Sequence, residues 1–212
     1  FSIQGFCLFS KPRPSRIGGG VAIYAREVLN PSPADVPVPD NLEVTWVKLR
    51  PPRLPRSIPC IFCAVVYYPQ SDAQLEAQLI DHLIATIDVI KTKHQDAGLV
   101  ILGDFNQLNL DALLANHTLR QVVETPTRGD NILDKIITNI HDYYNKPLIC
   151  SPIGMSDHNS VLWSPIMKVK EPKKSTRYSF QRPMPDSSIR AFGQWISSYE
   201  WPEIGNDNDV YV

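Results

Sequence analysis

The chain has 212 residues and a mass of 23.9 kDa, enough for one substantial domain with a short appendage and too little for two large ones. Hydrophobic residues make up 43% and charged residues 20%, a globular balance that excludes bulk disorder. Lys plus Arg is 21 and Asp plus Glu is 22, so the net charge is -1; contact with nucleic acid then has to come from local basic patches.

Four scattered cysteines (Cys7, Cys60, Cys63, Cys150) lie partly in apolar runs, which fits a reducing compartment better than a disulfide scaffold. The longest apolar stretches, such as Ile61 to Val66, fall far short of the ~20 residues that span a bilayer. The chain opens at Phe1 directly into strand-like sequence and reads as a fragment.

Phe6 to Phe9 is a short apolar run, followed by a basic loop from Lys11 to Arg16. Gly18-Gly19-Gly20 leads into Val21 to Ala25, a strand by composition, and Pro31, Pro33, Pro37 and Pro39 make the next stretch a loop. Leu42 to Leu49 alternates as a strand covered on both faces. The Pro-rich basic segment Arg50 to Arg56 is a hairpin connection, and Ile58 to Val66 reads as a central buried strand. Ser71 and Gln74 form a capping box for a helix whose apolar stripe is Leu75, Leu79, Leu83, Ile87 and Ile90, with Gly98 to end it. Leu99 to Leu102 is a second buried strand, and shorter strands are expected at Leu119–Val123, Ile132–Thr138, Leu148–Cys150 and Ser160–Ile166. This order of elements predicts stacked sheets flanked by helices. A boundary near Ile166 separates a domain at 1–166 from a basic linker and short helix at 167–212, the helix capped by Asp186 and carrying Ile189, Phe192 and Ile196 on one face.

Four signals carry chemistry. In Leu99 to Asn106 a buried strand runs through Gly103 and presents Asp104 and Asn106, two apart and so on one side. That places a carboxylate to take a proton from water beside an amide to hold an oxygen; the alternative is an Asx turn closing the strand. Ser156-Asp157-His158-Asn159 offers an acid and a titratable ring within one turn, or else a solvated surface turn. Asp134 sits in an apolar strand, where a carboxylate is costly without a partner; His158 is the candidate partner, and an edge position facing water is the alternative. Tyr67 ends a buried strand, where its hydroxyl either donates to a phosphate or simply packs. Gly18-Gly19-Gly20 precedes a strand and is no P-loop, and Cys60-Ile-Phe-Cys63 has no second pair for zinc. His82 and His94 read as surface residues on or just past the long helix.

The order Tyr-x-Pro, Gly-Asp-x-Asn, a late-strand Asp and Ser-Asp-His resembles the endonuclease/exonuclease/phosphatase superfamily, which includes the DNase I-like nucleases. The segments Gly18 to Tyr24, Val65 to Pro69, Leu102 to Asn106, Thr125-Pro-Thr127 with Leu133-Asp134 and Ile136 to Asn139, and Ser156-Asp157-His158 resemble in particular the endonuclease domain of non-LTR retrotransposon polyproteins. Arg177 to Trp201 looks like the connector toward a reverse transcriptase in such proteins.

The resemblance implies an α/β fold, a four-layer α/β/β/α sandwich, and Mg²⁺-dependent phosphodiester cleavage of DNA, with Mn²⁺ as the alternative ion. By position, Asp104 would activate water, Asn106 would orient it or the phosphate, and Tyr67 would contact phosphate near the leaving oxygen. Asp134 would hold His158, His158 would stabilise charge on the phosphate, and Asp157 would help bind the metal. Action on chromosomal DNA would place the protein inside the cell, in the nucleus. Family members begin with a strand bearing Asn and then a metal-binding Glu, whereas residues 1–17 here contain no Glu. The sandwich is therefore expected to lack its first strand and the activity to be weak. The alternatives are a catalytically dead fragment and a phosphatase or phospholipase of the same fold.

Overall fold

The computed structural model describes residues 2–13, 19–69, 73–166 and 184–201. It divides into two compact units, Phe1–Met167 and Lys168–Val212.

In the first unit the strands β1 (Phe6–Pro12) and β2 (Gly20–Arg26) form an antiparallel two-stranded ribbon. Lys11 and Pro12 belong to β1, where a loop was expected from the prolines. Pro12 pairs with Gly20 at the end of the ribbon where β1 leads on to β2, the last position of its strand, where a missing N–H costs little. Then come β3 (Ser32–Pro33), β4 (Glu43–Leu49), β5 (Ile61–Tyr67), helix α1 (Ala73–Lys93), β6 (Gly98–Asp104), helix α2 (Asp111–Asn116), β7 (Arg120–Gln121) and β8 (Asp134–Thr138). The strands among these make one six-stranded sheet in the order β3-β4-β5-β6-β8-β7. A second ribbon pairs β9 (Leu148–Cys150) with β10 (Ser160–Leu162).

The alternation of side chains along each strand gives the large sheet two faces. On one face Val44, Trp46, Phe62, Ala64, Val66, Leu99, Ile101 and Ile137 meet Leu79, Leu83, Ile87 and Ile90 of α1 and Leu113 of α2. Each such buried Leu or Ile contributes roughly 1.5–3 kcal/mol, and this face anchors the sheet. On the other face Ile61, Val100 and Ile136 contact Ile149, Val161 and Trp163 of the β9–β10 ribbon. The described residues of this unit thus supply an outer helical layer, a six-stranded sheet, and two ribbons in place of one continuous second sheet.

β5 and β6 run parallel, as their connection through α1 requires. The apolar stripe expected for α1 is the face that is buried, although Ser71 of the expected capping box lies outside the described residues. Gly98 does not end α1. The helix stops at Lys93, His94 N–H bonds back to Ile90 O, and Gly98 opens β6 where a Cβ would meet Ile140 and Ile61 at 3.2 Å. Lys91 and Lys93 in the last turn complement the helix dipole. β7, β8 and β10 are shorter than their apolar runs, and α2 was not expected at all, its six residues being too few for a periodic pattern. His82 is half-buried with an enclosed Nε2, where a surface position was expected.

The second unit contains α3 (Asp186–Ser198). Its N-cap is Pro185 and no side chain caps it, so Asp186 serves as the first helical residue instead of the cap. Ile189, Phe192, Trp195 and Ile196 are exposed, and the rings of Phe192, Trp195, Tyr199 and Trp201 follow one another at 6.0, 4.9 and 5.1 Å. The basic linker expected at Lys168 to Arg182 lies outside the described residues.

Candidate active site

The site is a lateral row written by strand register. Tyr67 is the last residue of β5 and pairs with Asp104, the last of β6; Asp104 pairs with Asp134, the first of β8. Because each residue sits an even number of positions from Cys63, Val100 and Ile136 on its own strand, all three point to the ribbon-facing side. Neighbouring members of such a row lie about 4.8 Å apart.

His158 joins from the loop before β10. Its Nδ1 stands 2.8 Å from Asp134 Oδ2, and with a carboxylate as acceptor Nδ1 carries the proton and donates. Nε2 is then the ring's lone-pair nitrogen. Ser156 Oγ accepts the His158 N–H at 3.1 Å, which closes the loop beneath the ring. Asp104, Asp134 and His158 each offer one ligand atom, all within 4.8 Å of one another.

The carboxylate of Asp104 is half-buried. Desolvation raises its pKa from the ordinary value; the Asn106 N–H bond opposes this, and the neighbouring Asp134 charge adds to it. The strand reaches this point through Gly103, at φ +143°, where a Cβ would lie 1.9 Å from Val66 O. Only glycine lets β6 approach β5 so closely.

Asn106 adopts a left-handed φ of +45° that Asn tolerates. Its N–H donates to Asp104 Oδ1 at 3.0 Å, its Nδ2 to Tyr68 O at 2.7 Å, and its carbonyl accepts from Lys135 Nζ at 3.0 Å. The Asx turn and the site amide, alternatives in the sequence, are here one structure. Asp157 turns away from the cluster toward Arg128, Nη2 to Oδ2 at 2.5 Å.

The chain matches known proteins in fold, not in sequence. No family model matches the chain, and no curated protein matches it. Among solved structures it resembles the endonuclease domain of TRAS1, a telomere-specific non-LTR retrotransposon, at 15% identity over 79% of this chain and 83% of that one, TM-score 0.54. It also resembles the human Nocturnin catalytic domain, solved with a bound sulfate anion, at 15% identity over 76% and 73% of the two chains, TM-score 0.51. The fold is DNase I-like.

Within this DNase I-like frame, the row lies at the carboxyl ends of the parallel strands β5 and β6, a usual place for ligands in layered α/β proteins. Tyr67, Asp104, Asp134 and His158 are brought to that row or onto it; Asn106 supports it from below. Asp104 and Asp134 fit a divalent cation of the Mg²⁺ type, which takes one or two carboxylates and completes its shell with water and phosphate oxygens. The convergence of one ligand atom each from Asp104, Asp134 and His158 is the observation that favours such an ion.

Three side chains of the site escaped the sequence reading of individual roles. Thr127, fully buried, accepts at Oγ1 from the N–H groups of Leu133 and Asp134, while its carbonyl accepts from Asn159 N–H at 2.8 Å. It thereby ties the strand of Asp134 to the loop of His158. Lys135 holds Asn106, and burial lowers its pKa. Arg13 lies over the Tyr67 ring, 5.4 Å from its centre. Thr127 stood in a recognised motif and Arg13 in a recognised basic loop, but only tertiary pairing reveals what they touch.

Proposed function

We propose that this chain is a divalent-metal-dependent phosphodiesterase that nicks DNA, the endonuclease domain of a non-LTR retrotransposon-like protein acting in the nucleus. The observation that carries the reading is the cluster of Asp104, Asp134 and His158, with the imidazole fixed on Asp134 at 2.8 Å. The likeness in fold to the endonuclease domain of TRAS1 supports the choice of DNA.

In this reading Asp104 accepts a proton from the attacking water, its carboxylate held in place by the Asn106 N–H. Asp134 fixes the His158 tautomer and its orientation. His158, when protonated at Nε2, donates to a phosphate oxygen as negative charge builds there. Tyr67 meets the phosphate on the side of the leaving oxygen, and Asn106 keeps the Asp104 carboxylate in place. A bound Mg²⁺ or Mn²⁺ would be held by Asp104 with Asp134, joined by Asp157 once released from Arg128, and supplies charge stabilisation for the phosphate and leaving oxygen. The described residues bring two carboxylates to the cluster, and we expect slow turnover from so thin a ligand set.

The test is nicking of supercoiled plasmid in Mg²⁺. EDTA, Asp104→Ala and His158→Ala are each expected to abolish it. Activity surviving both substitutions refutes the assignment. Release of phosphate from small esters in place of nicking would transfer the site to the phosphatase reading.

A further inference from the structure

Two guanidinium groups flank the reactive row, and a carboxylate holds each of them. At one end Arg13 donates from Nε to Glu43 Oε1 at 2.8 Å and from Nη2 to Oε2 at 3.1 Å, with its fork beside the Tyr67 ring. Glu43 is itself the register partner of Tyr67, so the row runs Glu43, Tyr67, Asp104, Asp134. At the other end Arg128 reaches Asp157, the neighbour of His158, from a tight turn closed by the Arg128–Asn131 bridge.

Three inter-strand steps of ~4.8 Å make the row about 14 Å long. Charges on one nucleic-acid strand repeat about every 3.4 Å of helix axis. A polymer lying along the row therefore presents more than one phosphate to it, whereas a small ester reaches one end only. The Arg128–Asp157 pair explains little as a stability device, whereas the Arg13–Glu43 pair is the better buried of the two. The Arg128 and Asp157 side chains are 49% and 67% exposed, and pairs in that setting contribute about 0–1 kcal/mol. A guanidinium fork fits phosphate in the same bidentate way that it fits carboxylate.

We propose that Arg13 and Arg128 bind the phosphates on either side of the cleaved one, and that Glu43 and Asp157 hold them in the free protein until a nucleic-acid strand displaces the carboxylates. This rests on the phosphodiesterase reading and extends it to the groups that would select a polymer over a small ester.

The experiment measures binding of a short fluorescein-labelled DNA duplex to the full chain by anisotropy, in EDTA so that no cleavage occurs. Arg13→Gln and Arg128→Gln are each expected to weaken binding about tenfold at low salt and to reduce the slope of log affinity against log salt by about one. Glu43→Gln and Asp157→Asn are expected to tighten it about threefold, a direction that damaged folding does not produce. Unchanged affinity in both arginine variants overturns the proposal, as does weaker binding in the carboxylate variants. His158→Ala separates the two claims. If it abolishes nicking while the arginine variants bind normally, the phosphodiesterase reading stands and this one falls. If nicking survives both it and Asp104→Ala, the phosphodiesterase reading falls whatever the arginines do.

Discussion

Asp134 Oδ2 accepts a hydrogen bond from His158 Nδ1 at 2.8 Å, across 24 residues of sequence, with both side chains about one-fifth to one-quarter exposed. The bond fixes which ring nitrogen carries the proton. Asp134→Asn keeps the shape and offers either an acceptor oxygen or an NH₂ donor, so the tautomer is no longer dictated. Plasmid nicking in Mg²⁺ is expected to fall about 10–100-fold, the usual cost of losing a carboxylate behind a histidine. Nicking within twofold of the parent would show that the pair is structural.

Thr127 gives a prediction that separates its oxygen from its shape. Thr127→Val preserves volume and removes the acceptor for the Leu133 and Asp134 N–H groups, in a fully buried position. Two stranded donors are expected to cost about 1–3 kcal/mol each at most, and nicking is expected to drop because Asp134 loses its anchor. Thr127→Ser keeps the oxygen and is expected to recover most of both. Urea unfolding of the three proteins checks this; equal stability of the Val and Ser variants would remove the hydrogen bonds from the account.

Gly103→Ala tests the close approach of β5 and β6. The new Cβ would lie 1.9 Å from Val66 O in a backbone conformation that L residues rarely adopt. Overpacking and strain together are expected to cost about 3 kcal/mol or more. The expected result in thermal unfolding is a large drop in Tm or no folded protein at all. A Tm near that of the parent would show that the strands separate without penalty.

What the sequence made legible follows physical range. β5, β6 and α1 were readable because their apolar runs are continuous and each buries a face along its own length. Asp104 and Asp134 stood out because a carboxylate at the end of an apolar strand needs a reason, and His158 because it was the available partner. The ends of β8 and β10 were not readable, since an apolar residue such as Ile132 or Trp163 packs equally well from a loop. The attachments of Arg13 to Glu43, Arg128 to Asp157 and Thr127 to Asp134 were invisible for another reason. They depend on register and loop closure, which charge pattern alone does not contain. Asp157 illustrates this: its motif pointed to a metal, and its side chain is placed on an arginine.

The last prediction concerns the cost of keeping Asp104 ready. Burial, opposed by the Asn106 N–H and aided by Asp134, raises its folded-state pKa above its ordinary value of 3.8. In an unfolded chain the group ionises near that ordinary value, so between the two pKa values the unfolded state has fewer bound protons. Stability from this group is therefore lost as pH rises from about 3.8 through the folded pKa, and the penalty persists at neutral pH. Asp104→Asn removes the ionisable group and with it the penalty. In EDTA the variant is expected to melt higher than the parent at pH 7, and the difference is expected to shrink as pH falls below the carboxylate range, while nicking in Mg²⁺ is lost. Thermal unfolding of both proteins across pH is the measurement. A variant that melts lower than the parent at pH 7 would mean that Asp104 is stabilised by its neighbours and not held against a desolvation cost.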